Sequence, residues 1–140
     1  MDLILKQVAL PEVNGGEVID IGIADGVIVS IARDISGDAD TLCMNGRLAV
    51  PGFIESHIHL DKACILDRCK SEEGTLEEAI REVSSAKRAF TVEDIRSRAI
   101  RTLEKCILQG TTRIRTHLEV DPIIGIKSIE AVLPLIKEYA

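Results

Sequence analysis

The run Pro51-Gly52-Phe53-Ile54-Glu55-Ser56-His57-Ile58-His59-Leu60-Asp61 places two histidines two residues apart behind an apolar stretch. Positions i and i+2 face the same way only in extended backbone, so the pair presents its imidazoles jointly from a strand end, as a helix would not. Two neutral imidazoles aimed at one point supply half of a four-coordinate site for one divalent metal, Zn²⁺ or Fe²⁺. For an isolated His-x-His, a hydrogen-bonded pair at a strand end is the alternative. Further along, Arg113, Arg115 and His117 alternate with Ile114, Thr116 and Leu118, which gives that strand one polar face. A guanidinium on a covered strand calls for a carboxylate such as Glu119, Asp121 or Glu55, so for Arg115 a structural salt bridge and a substrate contact both stand. Asp61 and Lys62 read as a solvated or structural ion pair. Cys43, Cys64, Cys69 and Cys106 form no C-x-x-C pair and are expected as thiols in a reducing compartment, each a buried or half-buried small hydrophobe.

The elements that must position these groups follow from turn signals and periodicity. Residues 2–49 read as short strands. Residues 17–23 and 27–32 flank Ala24-Asp25-Gly26, a hairpin signal, and Asn14-Gly15-Gly16, Ser36-Gly37-Asp38 and Asn45-Gly46 mark further turns. From Leu48 the texture changes. A strand runs into the histidine pair, and Thr75 with Glu78 then forms a capping box for a helix whose Leu76, Ala79, Ile80, Val83 and Ala86 line one face. Thr91 and Asp94 start a second helix, which buries Ile95, Ala99, Leu103 and Cys106 before Gly110 ends it. The strand over 111–118 follows. A last helix spans 127–139 on Ile129, Val132, Leu133 and Ile136, with Pro134 set to kink it. This succession of β, α, α, β, α fits the opening of a parallel α/β structure, in which active groups collect at the carboxyl ends of strands. All three histidines lie at such ends.

At 140 residues, 46% hydrophobic and 29% charged, the chain has the makings of one globular core. Two Phe, one Tyr, no Trp and a formal charge of −6 argue against nucleic acid as a partner, since neither stacking platforms nor a basic surface are on offer. No apolar run approaches the roughly 20 residues that span a bilayer, and Met1-Asp2-Leu3 lacks the basic start of a signal peptide, so a cytoplasmic protein without membrane contact is expected.

The string from Gly46 to Phe53, the histidine pair and Leu60-Asp61-Lys62 together resemble the opening of the amidohydrolase superfamily. Gly74-Thr75-Leu76-Glu77-Glu78-Ala79-Ile80, Thr91-Val92-Glu93-Asp94-Ile95 and Gly110-Thr111-Thr112-Arg113-Ile114-Arg115-Thr116-His117-Leu118-Glu119-Val120-Asp121 resemble its cytosine deaminase-like branch. The resemblance implies an α/β fold, the N-terminal part of a (β/α)₈ TIM barrel, preceded by a small β-sandwich subdomain. Residues 1–48 would form the small β subdomain and 49–140 the first two β/α units. It further implies a hydrolase of C–N bonds other than peptide bonds, with one divalent metal, Zn or Fe, that activates water. His57 and His59 match metal ligands, and Arg115 and His117 match a substrate-pocket segment. The substrate would be a small molecule, a pyrimidine or related nitrogen heterocycle. The family's other ligands and its proton-shuttling carboxylate come from later strands, so no catalytic residue is assignable in this chain. A complete barrel takes ~250 residues, so the chain is expected to be an N-terminal fragment, inactive alone. Two alternatives are a split-enzyme subunit that needs a complementing chain and a non-enzymatic remnant that self-associates as a homo-oligomer.

Overall fold

The computed structural model describes residues 1–11, 17–70 and 72–140, which divide into two compact units, Met1–Pro51 and Gly52–Ala140. The turn expected at Asn14-Gly15-Gly16 lies outside the described residues.

The first unit is a four-stranded sheet of β1 (Leu3–Ala9), β2 (Val18–Ala24), β3 (Val27–Ala32) and β4 (Asp40–Cys43), in the order β3-β2-β1-β4. β1 and β2 pair antiparallel, as do β2 and β3, while β4 lies parallel to β1. Asp25 and Gly26 both take positive φ, 49° and 74°, which suits the tight hairpin turn that the Asp-Gly pair predicts. An irregularity in β1 between Leu5 and Val8 is pinned by buried Asp20, whose carboxylate accepts from Lys6 Nζ at 2.7 Å, Gln7 N–H at 3.1 Å and Ile35 N–H at 3.0 Å. The hydrogen bond from Lys6 leads the causes that hold the Asp20 carboxyl below its usual range. Ile4, Val8, Ile21 and Ile35 fill the core. Cys43 is exposed rather than buried, because it ends an edge strand whose four residues all face solvent.

The second unit is built on β5 (Phe53–Ile58) and β6 (Thr111–Thr116), which run parallel with Ile54 opposite Arg113, Glu55 opposite Ile114 and Ile58 opposite Thr116. A parallel pair needs a long crossover. Here α1 (Leu76–Ala86) and α2 (Val92–Leu108) provide it, and α3 (Lys127–Val132) and α4 (Leu135–Glu138) follow β6. At the start of β5 a Cβ on Gly52 would stand 2.2 Å from Thr112 Cγ2, so the two strands approach too closely there for any side chain. Gly52→Ala is therefore expected to cost about 1–3 kcal/mol through overpacking. A urea midpoint equal to that of the parent chain would show that Thr112 turns aside freely.

Both threonine caps form, but neither capping box closes, because the Glu78 and Asp94 carboxylates bond to groups other than the cap residue's N–H. Thr75 Oγ1 accepts Glu78 N–H at 3.1 Å, and Thr91 Oγ1 accepts Asp94 N–H at 3.1 Å. Glu78 reaches past the cap residue itself and takes the N–H groups of Glu72 (2.7 Å), Glu73 (3.0 Å) and Gly74 (2.8 Å). Those amides hold its carboxyl below the ordinary value, led by the bond from Glu72. The apolar face expected of α1 closes on the core only in part: Val83 and Ala86 pack against it half-buried, while Leu76 and Ile80 are 71% and 60% exposed. The buried residue of α1 is Glu78, so polar bonds at its start also tether this helix. α2 does bury Ile95, Ala99 and Leu103, with Cys106 half-buried.

The segment expected as one helix over 127–139 is two, broken around Leu133 and Pro134 as the missing N–H of proline requires. Its buried stripe is Ser128, Ala131, Val132 and Leu135, one position off the larger stripe of Ile129, Leu133 and Ile136, which is exposed. Small Ser128 and Ala131 let α3 lie close against α2, where Ala99 is also fully buried. Leu60, Ile65, Phe90, Ile95, Leu103 and Ile124 complete that core. No helix among the described residues is long and apolar enough to cross a membrane.

Candidate metal centre

The strand ends are stitched together where the histidines emerge. His117 N–H donates to Ile58 O at 2.8 Å, and Thr116 Oγ1 both donates to Ile58 O at 3.2 Å and accepts Leu60 N–H at 3.2 Å. β6 ends at Thr116, two residues short of the expected 118, with His117 N–H still bonded across to Ile58 O and the Thr116 side chain holding Leu60 N–H. With the backbone so fixed, His57 and His59 project to one side, as the spacing of two predicts, and their Nε2 atoms stand 3.4 Å apart. The His117 ring joins them, its centroid 4.3 Å from that of His57 and 5.6 Å from that of His59.

The 3.4 Å separation tests whether the pair fits a cation. Two nitrogens each about 2.0–2.1 Å from one tetrahedral ion stand about 3.3–3.4 Å apart, whereas a good nitrogen-to-nitrogen hydrogen bond is nearer ~3.0 Å. The donor set therefore fits, with both nitrogens borderline-soft and suited to Zn²⁺ or Fe²⁺. Among the described residues no group of three or more His, Cys, Asp or Glu is arranged to hold an ion. His57 is exposed, and His59 is half-buried with its Nδ1 enclosed and unpartnered among the described residues. Burial, followed by the charges of His57, Arg115 and His59, keeps His117 neutral to lower pH than an ordinary histidine.

Around the pair runs a polar frame that the spacing of the histidines did not announce. Asp61 is buried and accepts Glu119 N–H at 2.7 Å, which ties the loop after β5 to the loop after β6. Lys62 pairs with Glu119 at 3.7 Å, so the expected partnership of Asp61 with Lys62 is replaced by two separate ties to residue 119. Arg98, on the inner face of α2, donates from Nη1 to Asp61 O (2.8 Å) and Ala63 O (2.9 Å) and from Nε to Asp94 (3.1 Å). Its guanidinium carbon lies 4.3 Å from the Phe90 ring centroid. Lys87, also buried, holds Glu119 at 3.2 Å and Asp121 in a closer contact. Arg115 is exposed, and none of the carboxylates expected for it pairs with it among the described residues; Glu119 and Asp121 answer to Lys87 instead. One sequence signal for Arg98 existed, a lone charge three residues after Ile95 on the apolar side of α2. For Lys87 there was none, because its two partners lie more than thirty residues further on.

Lys87 holds the Asp121 carboxyl down at about 2, and the two carboxylates raise the Lys87 ammonium above its ordinary value. A depressed carboxyl contributes stability above its unfolded value of ~3.9 that is lost as pH falls through the folded value. The raised Lys87 stays charged throughout that window. The urea midpoint is therefore expected to fall between pH 4 and about pH 2, and Lys87→Met should lower the midpoint at pH 5 while flattening the acid decline. A decline equally steep in the variant would place the acid-sensitive group elsewhere.

A cavity of about 350 Å³ opens beside His59, lined by Lys62 and Glu119 on its polar side and by Ala79, Ile80, Val83 and Ser84 of α1 opposite. Cys64 and Cys69 line a separate space of about 470 Å³ with Ile65 and Glu78.

No family model matches the chain. It is nevertheless 33% identical over 138 residues to N-isopropylammelide isopropyl amidohydrolase of Pseudomonas sp. strain ADP, covering 94% of this chain and 34% of that protein. It superposes with a TM-score of 0.81 and 31% identity on 5-methylcytosine deaminase of Klebsiella pneumoniae, solved with 5-fluorocytosine, covering 96% of this chain and 33% of the other. The chain belongs to the amidohydrolase superfamily. Its kinship is with the deaminase-like members of that superfamily, and it spans about a third of the length of these relatives. N-isopropylammelide isopropylaminohydrolase of Burkholderia multivorans ATCC 17616 shares the superfamily's fold with it at a TM-score of 0.78 and 24% identity, over 99% of this chain and 35% of that one.

Proposed function

We propose that this chain carries the opening half of the metal centre of a hydrolase that acts on C–N bonds other than peptide bonds, with His57 and His59 as two ligands of one divalent ion, Zn or Fe. The observation that carries the reading is the 3.4 Å between the two Nε2 atoms, the edge length of a tetrahedral nitrogen site. When bound, the ion supplies the acidity that makes water a nucleophile near neutral pH. The chain's own residues hold and frame that ion: Asp61 and Arg98 fix the loop behind His59, while Lys62 and Glu119 border the cavity at its side. Arg115 and His117, on the polar side of β6 and just beyond it, line the substrate side in this reading.

The substrate class that suits the relatives' names is a small nitrogen heterocycle, a pyrimidine or similar ring. In the proposed whole, β5 and β6 are the first two strands of a (β/α)₈ barrel and the four-stranded sheet is one layer of the small β-sandwich. The 140 residues offer no assignable proton-shuttling carboxylate or further ligand, so turnover needs additional strands, whether in a longer polypeptide or a complementing chain. Exposed Phe53, Ile54, Leu76 and Ile80 favour such completion, because an apolar surface of that kind marks a place where more protein packs. Four free cysteines agree with a reducing, cytoplasmic setting. The direct test is titration of the purified chain with Co²⁺ followed by its visible absorption, and with Zn²⁺ in competition. Saturable uptake of one ion per chain supports the reading, and uptake without saturation defeats it.

A further inference from the structure

We propose that His117 is a positioning residue for His57: its ring braces the His57 imidazole so that Nε2 meets the Nε2 of His59. This deepens the metal reading and rests on it for its functional consequence. The two histidines of the pair are held unequally. His59 is half-buried and forms part of the wall of a cavity whose far side is α1. His57 is exposed on a two-stranded sheet, and besides His59 its side chain hydrogen-bonds to no group among the described residues. A ring in that position would turn about two side-chain torsions at little cost. What stands against it is His117, whose centroid is 4.3 Å away with the planes inclined by 35°, a close tilted stack.

The brace is itself held. His117 N–H bonds to Ile58 O, between the two ligands, so the same strand pairing that sets the backbone of His57 also sets the ring beside it. The contact is lopsided, with the His117 centroid 1.3 Å nearer to His57 than to His59 (5.6 less 4.3). The three imidazoles do not form a group that could hold an ion, which makes His117 a neighbour of the ligands and not a third donor. A flat ring is therefore what the position requires, and its nitrogens are dispensable.

Two variants separate the ring from its nitrogens. In the metal-free chain, proton and carbon NMR of the His57 ring reads the stack directly, because a neighbouring aromatic ring displaces those resonances. His117→Ala should remove the displacement and His117→Phe should retain it. With Zn²⁺ as probe, His117→Ala should weaken binding about tenfold, the lower end of what the loss of an outer support costs, and His117→Phe should stay within about threefold of the parent chain. If His117→Ala fails to fold, His117→Leu fills the space without a ring and takes its place. His57 resonances unmoved by loss of the ring would overturn the brace, as would zinc affinity lost equally in the Phe and Ala variants. A parent chain that binds no zinc but shows the ring-dependent displacement would instead sink the metal reading, leaving the stack in place.

Discussion

Replacing both His57 and His59 by alanine is expected to abolish measurable uptake of Co²⁺ or Zn²⁺ by this chain, and replacing either one to weaken it by at least about tenfold. With only two nitrogens offered, each ligand carries half of what the chain contributes, and no neighbouring His, Cys, Asp or Glu among the described residues is arranged to substitute. The fold should survive, because His57 is exposed and His59 contributes no hydrogen bond to the core. Far-UV circular dichroism and the urea midpoint, both close to those of the parent chain, would establish that. Metal uptake unchanged in the double variant would locate the binding site elsewhere and leave the pair as a hydrogen-bonded couple.

The second large effect concerns stability. Arg98 is 4% exposed, and its removal would strip donors from Asp61 O, Ala63 O and the Asp94 carboxylate while taking away the face that covers Phe90. Breaking a buried charged network from one side typically costs ~3–5 kcal/mol, against a total stability of ~5–15 kcal/mol for a domain. Arg98→Ala is expected to fall in that range, and the loop after His59 should lose amide protection along with it. Arg98→Lys keeps the charge but offers a point donor in place of a planar fork, so an intermediate loss of about 1–3 kcal/mol is expected. Equilibrium urea unfolding measures both. A loss under about 1 kcal/mol for the alanine variant would show that the two carbonyls find water without difficulty.

What the sequence made legible were the features governed by near neighbours. The Asp25-Gly26 turn, both capping threonines and the common direction of His57 and His59 each depend on a few consecutive residues, and each formed as expected. The misreadings share a different cause. Periodicity names the most apolar stripe of a helix, but burial is decided by what lies opposite. In α3 the stripe with Ser128 and Ala131 won because it admits α2 at short range, and in α1 only the Val83 and Ala86 end of the apolar stripe reaches the core while Leu76 and Ile80 stay exposed. A carboxylate partner for Arg115, one of its two readings, presumed a covered strand, yet Arg115 is exposed, and Lys87 claims Glu119 and Asp121 from a distance no local pattern reveals. The shared direction of the two histidines was thus readable from their spacing, whereas the frame around them was not.

The enclosed Nδ1 of His59 has a consequence for how tenaciously an ion would stay. Offering the Nε2 lone pair obliges the imidazole to adopt the tautomer with hydrogen on Nδ1, where no acceptor waits among the described residues. Leaving such a donor without a partner costs roughly 1–3 kcal/mol. That cost falls on the metal-bound form, so an ion held by the couple would leave more readily than the tetrahedral spacing alone would suggest.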